Sequence, residues 1–278
     1  MARFTGCWEY PSKMISYSPA GSGLANRMNS IYACHRSSDE VHVYWERGNK
    51  SIFDYGSPKF YFPDVIETRQ LNLPARNNWR MGTRKGELPA EFSNKQRIFR
   101  RMWKLEQIGP TDGASIDFEY HRIPLHIRED YCKVIKSIRI ADMFLELSDG
   151  YSNKMFSDDT MGVHIRSFID SPEHKNRNWC GVDRYISLMD ENHQSKFFVA
   201  TDDGSIIKTL KDYFGEDRII TREQNDNKID VFLEMLLLAK CSSLILSPFS
   251  TFSQLAWFLG GATVPVKVPY KQPDWLVY

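Results

Sequence analysis

The sequence predicts an α/β fold made of two Rossmann-like lobes with mostly parallel sheets. From residue 160 onward, short apolar runs of strand length alternate with amphipathic segments of helical length. Nearer the start, residues 14–45 have the pattern of a strand, a loop of small residues, a helix and a second strand. Such alternation is typical of parallel sheets. A polar, turn-rich stretch at 150–159 then divides the chain into lobes at 1–155 and 156–278.

The composition is that of a globular protein without a strongly charged partner. Of the 278 residues, 42% are hydrophobic and 26% are charged, which is usual for a soluble domain. The formal net charge is +1, so nothing favours nucleic acid as a partner. No basic region followed by an apolar run indicates a signal peptide, and no apolar window is long enough to span a membrane. We therefore expect a cytoplasmic protein of bacterial or viral type.

Cysteine and histidine positions give no sign of a metal site. The five cysteines are scattered, odd in number and without CxxC spacing, so we expect reduced thiols rather than disulfides or zinc ligands. His164, His174 and His193 lie on different predicted elements with no partner cysteine. The P-loop pattern and the nucleophile elbow are also missing from the sequence. These observations exclude P-loop NTPases and the usual serine hydrolases.

The first strand–loop–helix unit places small residues where a ligand could approach. Met14 to Tyr17 is the predicted strand, Gly21 to Arg27 the loop, and helical spacing continues to about Ser37. Because Gly23 has no side chain, it lets the backbone come close to a ligand, and the N–H groups of a helix start attract anions. The alternative is a plain tight turn. Val41 to Trp45 is the second strand.

The middle of the chain is less regular. Residues 46–100 are rich in proline, and we expect loops and short elements there. Apolar positions between Glu129 and Leu147 predict one helix. In the second lobe, strands are predicted at 160–166, 196–200, 218–221, 243–247 and 264–268, and helices at 183–191, 205–214, 229–240 and 252–259.

Polar residues follow three of the predicted strands of the second lobe. They are His164 with Arg166, Asp202 with Asp203, and Ser247 with the segment from Ser250 to Ser253. In a parallel sheet the carboxyl ends of the strands share one edge, where ligands bind. A guanidinium and a hydroxyl-rich helix start suit a diphosphate. The alternatives are that Asp202 and Ser250 only cap helices and that His164 is a packed core residue.

Four segments, in order along the chain, resemble motifs of the fucosyltransferase superfamily with the GT-B fold. This superfamily includes α1,6-, α1,2- and protein O-fucosyltransferases and the rhizobial Nod-factor enzymes. Gly23 to Arg27 resembles its GLGNR segment, and His164 to Arg166 its HxR strand end. Ala200 to Asp203 resembles ATDD, and Ser250 to Ser253 resembles STFS. The resemblance spans most of the chain.

The resemblance implies an inverting transfer of a sugar, usually fucose from GDP-fucose, to a glycan hydroxyl, without metal or other cofactor. It implies that the two lobes face each other across a cleft. It assigns Arg166 to the β-phosphate, Ser250, Thr251 and Phe252 to the phosphates, and His164 with one of Asp202 and Asp203 to the guanine. The donor-binding residues that it implies are Gly23, Asn26, Arg27, His164, Arg166, Asp202, Asp203, Ser250, Thr251, Phe252 and Ser253.

This sequence departs from the family pattern at three positions. Many members have HxRRxD, whereas here Ser167 replaces the second Arg and Asp170 falls one place late; Ala25 replaces a Gly. These departures leave the acceptor and the donor open. A nucleotide-linked xylose such as UDP-xylose is an alternative donor, and a nucleotide- or sugar-binding module without turnover is an alternative function.

Inversion needs a base that takes the proton of the acceptor hydroxyl. Glu173 is the first candidate, because it follows Arg166 at a spacing close to that of a carboxylate in the α1,6-fucosyltransferases. Asp170 is the second candidate. Either residue could instead be a solvated loop acid.

Overall fold

The computed structural model describes residues 6–10, 13–18, 22–35, 39–46, 54–68, 125–169, 179–223, 226–248 and 250–269. Within these ranges the protein is a mixed α/β fold with two sheets, as predicted. The chain divides into two compact units. The first contains the first sheet, and the second contains the second sheet. The division falls within two helices, after Glu146 and after Phe232. The boundary at residue 155 stays a prediction.

In the described residues, the first sheet has four strands, which lie in sequence order. They are β1 (Gly6–Tyr10), β2 (Lys13–Ser18), β3 (Val41–Trp45) and β4 (Ile66–Glu67). β1 pairs antiparallel with β2, and the other two pairings are parallel. The predicted strands at 14–17 and 41–45 are thus confirmed, whereas β1 and β4 were not predicted.

Three α-helices lie in the described residues before the second sheet. They are α1 (Leu24–His35), α2 (Leu125–Ser137) and α3 (Asp142–Met155). The prediction of a single helix over 129–147 is wrong, because the helical structure is interrupted at residues 138–141. There the Ala141 N–H donates to the Tyr61 carbonyl (2.9 Å), and Arg139 pairs with Asp142 (2.6 Å). Helix α3 then runs through most of the stretch that was predicted to be turns.

An aromatic cluster forms much of the core of the first unit. Tyr61, Phe144 and Phe232 have ring centroids 4.9 to 5.5 Å apart. Both phenylalanines are fully buried. The Tyr61 hydroxyl donates to the Lys228 carbonyl (3.0 Å). Residues far apart in the sequence therefore complete this core.

The part of the chain that the structure describes forms a second sheet of five parallel strands. Its central strand is β5 (Met161–Ile165), flanked by β6 (Phe197–Thr201) and β8 (Ser243–Leu246). β7 (Ile219–Ile220) and β9 (Val266–Lys267) lie at the edges. Every residue of β5 and β6 is buried, as expected of strands with both faces covered.

Helices connect these strands in the predicted alternation. They are α4 (Val182–Asp190), α5 (Gly204–Phe214), α6 (Asn227–Leu238) and α7 (Thr251–Leu259). Apolar residues of α4 and α5, such as Met189 and Leu210, pack against Val163 and Val199 of the sheet in one buried cluster. Burying such side chains contributes about 1.5–3 kcal/mol each. The sheet is therefore a firm base for the residues that follow its strands.

No helix of the described residues is long and apolar enough to cross a membrane. Cys180 and Cys241 are free thiols, but Cys34 is disulfide-bonded. The prediction that all the cysteines are reduced thiols is therefore wrong at Cys34. Sequence spacing carried no signal for this bond, because a disulfide depends on the distance between cysteines in space. The cytoplasmic location stays a prediction.

Candidate functional site

The candidate site lies at the carboxyl edge of the second sheet, where β5, β6 and β8 end side by side. Because the register pairs Ile165 with Thr201 and His164 with Leu246, the residues that follow these strands come together. Direct hydrogen bonds join the polar groups after β5 to those after β6, after β8 and at the start of α7. The structure thus brings together the three clusters that the sequence placed at one edge.

Arg166 follows β5 and forms an ion pair with Asp202, which follows β6. The two side chains are 28% and 19% exposed, so both are largely sheltered from water. The second carboxylate oxygen of Asp202 accepts a hydrogen bond from the Ser167 N–H (2.7 Å). The guanidinium carbon lies 5.4 Å from the centre of the Phe168 ring, which favours a cation–π contact. The Arg166 side chain is therefore held in one orientation.

Ser247 holds the backbone of the same strand end. Its hydroxyl donates to the His164 carbonyl (3.0 Å) and accepts from the Arg166 N–H (2.7 Å). The Tyr185 hydroxyl lies 2.6 Å away and acts as donor, because the one Ser247 hydroxyl proton is already used. Ser247 is fully buried. Its hydrogen bonds extend the contact between β5 and β8 beyond the last residue pair of the sheet. They therefore hold the backbone of Arg166 in place.

His164 is a neutral, buried side chain in this site. Its Nδ1 lies 2.6 Å from the Ser253 hydroxyl, and its ring stacks on Phe252 with centroids 4.5 Å apart. Burial, with a smaller effect of the nearby Arg166 charge, lowers the pKa of His164 to about 3. The imidazole therefore stays uncharged at neutral pH and links β5 to the start of α7.

Helix α7 begins at this edge with its N-terminus capped by Ser250. The Ser250 hydroxyl accepts from the Ser253 N–H (3.3 Å). The first N–H groups of a helix, here those of Thr251 and Phe252, have no acceptor within the helix, and the helix dipole adds partial positive charge. An anion placed here would meet both these N–H groups and the charge of the site.

Asp203 has a different role from its neighbour Asp202. Its carboxylate accepts from the N–H (3.0 Å) and the hydroxyl (2.6 Å) of Ser205, which makes it the N-cap of α5. Ser250 is therefore a helix cap, as one alternative expected, whereas the cap of α5 is Asp203 and not Asp202, which that alternative named. Their contacts with a donor stay predictions.

Two features beside Arg166 were not predicted from the sequence. The Ser167 hydroxyl is buried and has no hydrogen-bond partner. Phe168 has a φ of 56°, a left-handed conformation that is uncommon for a bulky residue and often found at functional sites. The strand pattern alone carried no signal for either feature, because both depend on the turn that follows β5.

The predicted residues of the first unit surround the start of α1. A Cβ at Gly23 would meet no atom within 4 Å, which fits a close approach by a ligand. Asn26 is partly exposed. Arg27 is only 2% exposed; its Nε donates to the Ser22 carbonyl (2.9 Å), and its guanidinium lies 5.3 Å from the Trp45 ring centre. Arg27 therefore stabilises the first unit, and its contact with a donor stays a prediction.

The two candidate bases, Asp170 and Glu173, lie outside the described residues. Within the described ranges, no group of three or more His, Cys, Asp or Glu side chains has an arrangement that could hold a metal ion.

No family model matches the sequence, and no curated protein matches it either. Several solved structures do match. The fucosyltransferase NodZ from Bradyrhizobium is 16% identical, with a TM-score of 0.50 and 92% of each chain covered. NodZ α-1,6-fucosyltransferase co-crystallised with GDP is also 16% identical, with a TM-score of 0.50 over 87% of this chain and 91% of that one. POFUT1 in its apo-form is 10% identical, with a TM-score of 0.53 over 91% and 97%.

These similarities concern the fold, because the sequence identities are low. The chain has the α/β fold of these proteins over nearly its whole length. The predicted resemblance to the fucosyltransferases of the GT-B class is therefore confirmed at the level of the fold.

Proposed function

We propose that the protein is a glycosyltransferase that moves a sugar from a nucleotide sugar to a hydroxyl of a glycan acceptor. GDP-fucose is the favoured donor. The proposed reaction inverts the anomeric carbon and needs no metal. The observation that supports it most directly is the meeting of Arg166 and the start of α7 at the carboxyl edge of a parallel sheet, a place where such sheets bind nucleotides.

The diphosphate is the part of the donor that this edge suits best. When the bond between the anomeric carbon and the β-phosphate oxygen breaks, its electron pair stays on that oxygen, and negative charge develops on the leaving diphosphate. Fixed donors that stabilise developing charge commonly contribute more to catalysis than any other single effect. Arg166 supplies a permanent positive charge in a fork of donors, and Thr251 and Phe252 supply N–H groups.

The nucleoside would lie beside the same residues. Phe252 stacks on His164 with the rings 27° apart and is itself partly exposed, so it offers an uncharged aromatic surface that suits a purine base. In the proposed reaction, the acceptor oxygen attacks from the side opposite the diphosphate and forms the new bond to the anomeric carbon. Its proton passes to a carboxylate, with Glu173 the first candidate and Asp170 the second.

Binding and turnover are tested separately. Titration calorimetry with EDTA present should show that GDP and GDP-fucose bind the wild type. Arg166→Ala should weaken both by about tenfold to a hundredfold, because a lost charge-assisted hydrogen bond costs about 1.5–3 kcal/mol. The matched control is Arg139→Ala, which removes the same charge from an exposed ion pair with Asp142 and should leave binding unchanged.

The other outcomes decide between the alternatives. Binding of UDP-xylose in place of the guanine nucleotides would retain the transfer and change the donor. Slow hydrolysis of the bound donor without acceptor is expected of a transferase, whereas a binding module would leave the donor intact. If no nucleotide binds the wild type, the proposed function is wrong.

A further inference from the structure

Ser167 is the one residue of the described site with a fully buried hydroxyl that lacks a partner. Its exposed fraction is 1%. Buried polar groups are nearly always hydrogen-bonded, and leaving one unpaired costs free energy. The unpaired hydroxyl of Ser167 therefore indicates a functional role, and the residues around it indicate which one.

The neighbour that matters is the carboxylate of Asp202. One of its oxygens accepts from the Ser167 N–H at 2.7 Å, and the other is occupied by the Arg166 guanidinium. The Ser167 hydroxyl is carried by the same residue as that N–H, and rotation of its side chain changes its distance to the carboxylate. In the free protein the hydroxyl makes no hydrogen bond with this carboxylate, which still has unused acceptor sites.

An incoming oxyanion changes this balance. An oxyanion bound by Arg166 competes with Asp202 for the donors of the guanidinium, and a donor that turns to the anion leaves one carboxylate oxygen without its partner next to a second negative charge. A sheltered carboxylate that loses its partner is strongly destabilising unless another donor replaces it. Two features are in place to limit that cost. Asp202 directly precedes the N-cap of α5, where the helix dipole favours negative charge, and Ser167 holds an unused hydroxyl proton.

We propose that Ser167 is a positioning residue whose hydroxyl donates a hydrogen bond to Asp202 when an oxyanion binds the Arg166 guanidinium. The proposal deepens the proposed function, because in a glycosyltransferase the oxyanion is the diphosphate of the donor. Ser167 acts through Asp202 and does not touch the ligand. In the free protein Asp202 holds the guanidinium ready, and in the bound state Ser167 compensates the released carboxylate.

The turn at Phe168 fits this exchange. Its left-handed backbone directs the chain away from the strand immediately after Ser167. Its ring, only 9% exposed, lies near the guanidinium. Because the cation–π contact does not involve Asp202, the ring keeps Arg166 oriented while the ion pair loosens. The strained turn therefore holds both Ser167 and Arg166 in position.

A double-mutant cycle tests the proposal with inorganic pyrophosphate as the probe, measured by titration calorimetry on the full chain. Ser167→Ala should weaken pyrophosphate binding about threefold to tenfold. It should not lower the melting temperature of the free protein, because the hydroxyl has no partner there to lose. In the Asp202→Asn background, where no charged carboxylate needs a donor, the same change should alter binding less than twofold. Ser187→Ala, on the exposed face of α4, is the matched control and should change neither quantity.

Several results would overturn the proposal. The first is unchanged pyrophosphate binding in Ser167→Ala. The second is an equal loss of binding in the Asp202→Asn background, which would indicate that Ser167 contacts pyrophosphate directly. The third is a lower melting temperature of the free Ser167→Ala protein, which would indicate a structural role. A wild type that does not bind pyrophosphate would also overturn it. If the cycle behaves as expected while neither GDP nor any nucleotide sugar binds or turns over, the proposed function fails and this inference stands.

Discussion

Replacing Ser247 by Ala should remove hydrogen bonds that hold the site in place without changing any charge in it. The hydroxyl serves three buried or partly buried partners: the His164 carbonyl, the Arg166 N–H and the Tyr185 hydroxyl. Ala removes all of these bonds at once and introduces no bulk. Leaving a buried polar group unsatisfied costs about 1–3 kcal/mol. Because the Arg166 N–H is only partly buried and the Tyr185 hydroxyl also contacts Cys180, we expect a total loss of about 2–4 kcal/mol.

Urea unfolding of the wild type and the variant gives the loss in the free energy of unfolding directly. Calorimetry with GDP then shows whether the shifted Arg166 backbone weakens binding. The control is Ser187→Ala, whose hydroxyl bonds the Asp183 carbonyl on an exposed helix face and should cost less than about 0.5 kcal/mol. If both variants lose the same stability and bind GDP as the wild type does, Ser247 does not hold the strand end, and the reasoning is refuted.

The pH dependence of stability, the number of titratable thiols and two glycine substitutions give further predictions. As the pH falls from about 6.5 toward 3, His164 should cost up to about 1.4 kcal/mol of stability per pH unit, because only the unfolded chain takes up its proton; His164→Asn should flatten this slope in unfolding experiments. Denatured, unreduced protein should titrate three thiols and reduced protein five, because Cys34 is disulfide-bonded; five thiols without reduction would contradict the bond. Gly150→Ala should stabilise the protein by about 0.5–1 kcal/mol, since its Cβ meets no atom within 4 Å, whereas Gly260→Ala should destabilise it by about 1–3 kcal/mol, since its Cβ would lie 2.6 Å from the Ala239 carbonyl oxygen. If both glycine variants change the stability in the same direction, the inferred difference in the space around Gly150 and Gly260 is wrong.

The elements of the second unit were predictable because local signals are strong there. The predicted strand at 196–200 is observed at Phe197–Thr201, and the predicted helix at 205–214 at Gly204–Phe214. Asp203 and Gly215 mark the two ends of that helix, so cap and pattern agree. In the first part of the chain, the break before α3 depends on a bond from Ala141 to Tyr61. No pattern within residues 129–147 reports a contact with so distant a partner.

The candidate site was predictable in outline for a similar reason. A parallel sheet gathers the ends of its strands, so Arg166, Asp202 and Ser253 were expected at one edge without knowledge of distances. Their particular partners were not predictable. The pairing of Arg166 with Asp202 depends on the register of β5 and β6, and the unpaired hydroxyl of Ser167 depends on the turn after β5. β5 and β6 are buried on both faces, so their apolar runs lack the alternation that would fix the register. The turn conformation likewise does not follow from a strand pattern.

The aromatic core of the first unit has a consequence for the order in which the protein is made. Phe232 packs on Tyr61 and Phe144, and the hydrogen bond from Tyr61 to Lys228 joins residues 167 positions apart. Long-range contacts of this kind slow folding. During synthesis the beginning of the chain has to wait until Phe232 has left the ribosome before its core is complete. Most of the second unit is by then already outside, so the half that is translated first finishes folding late.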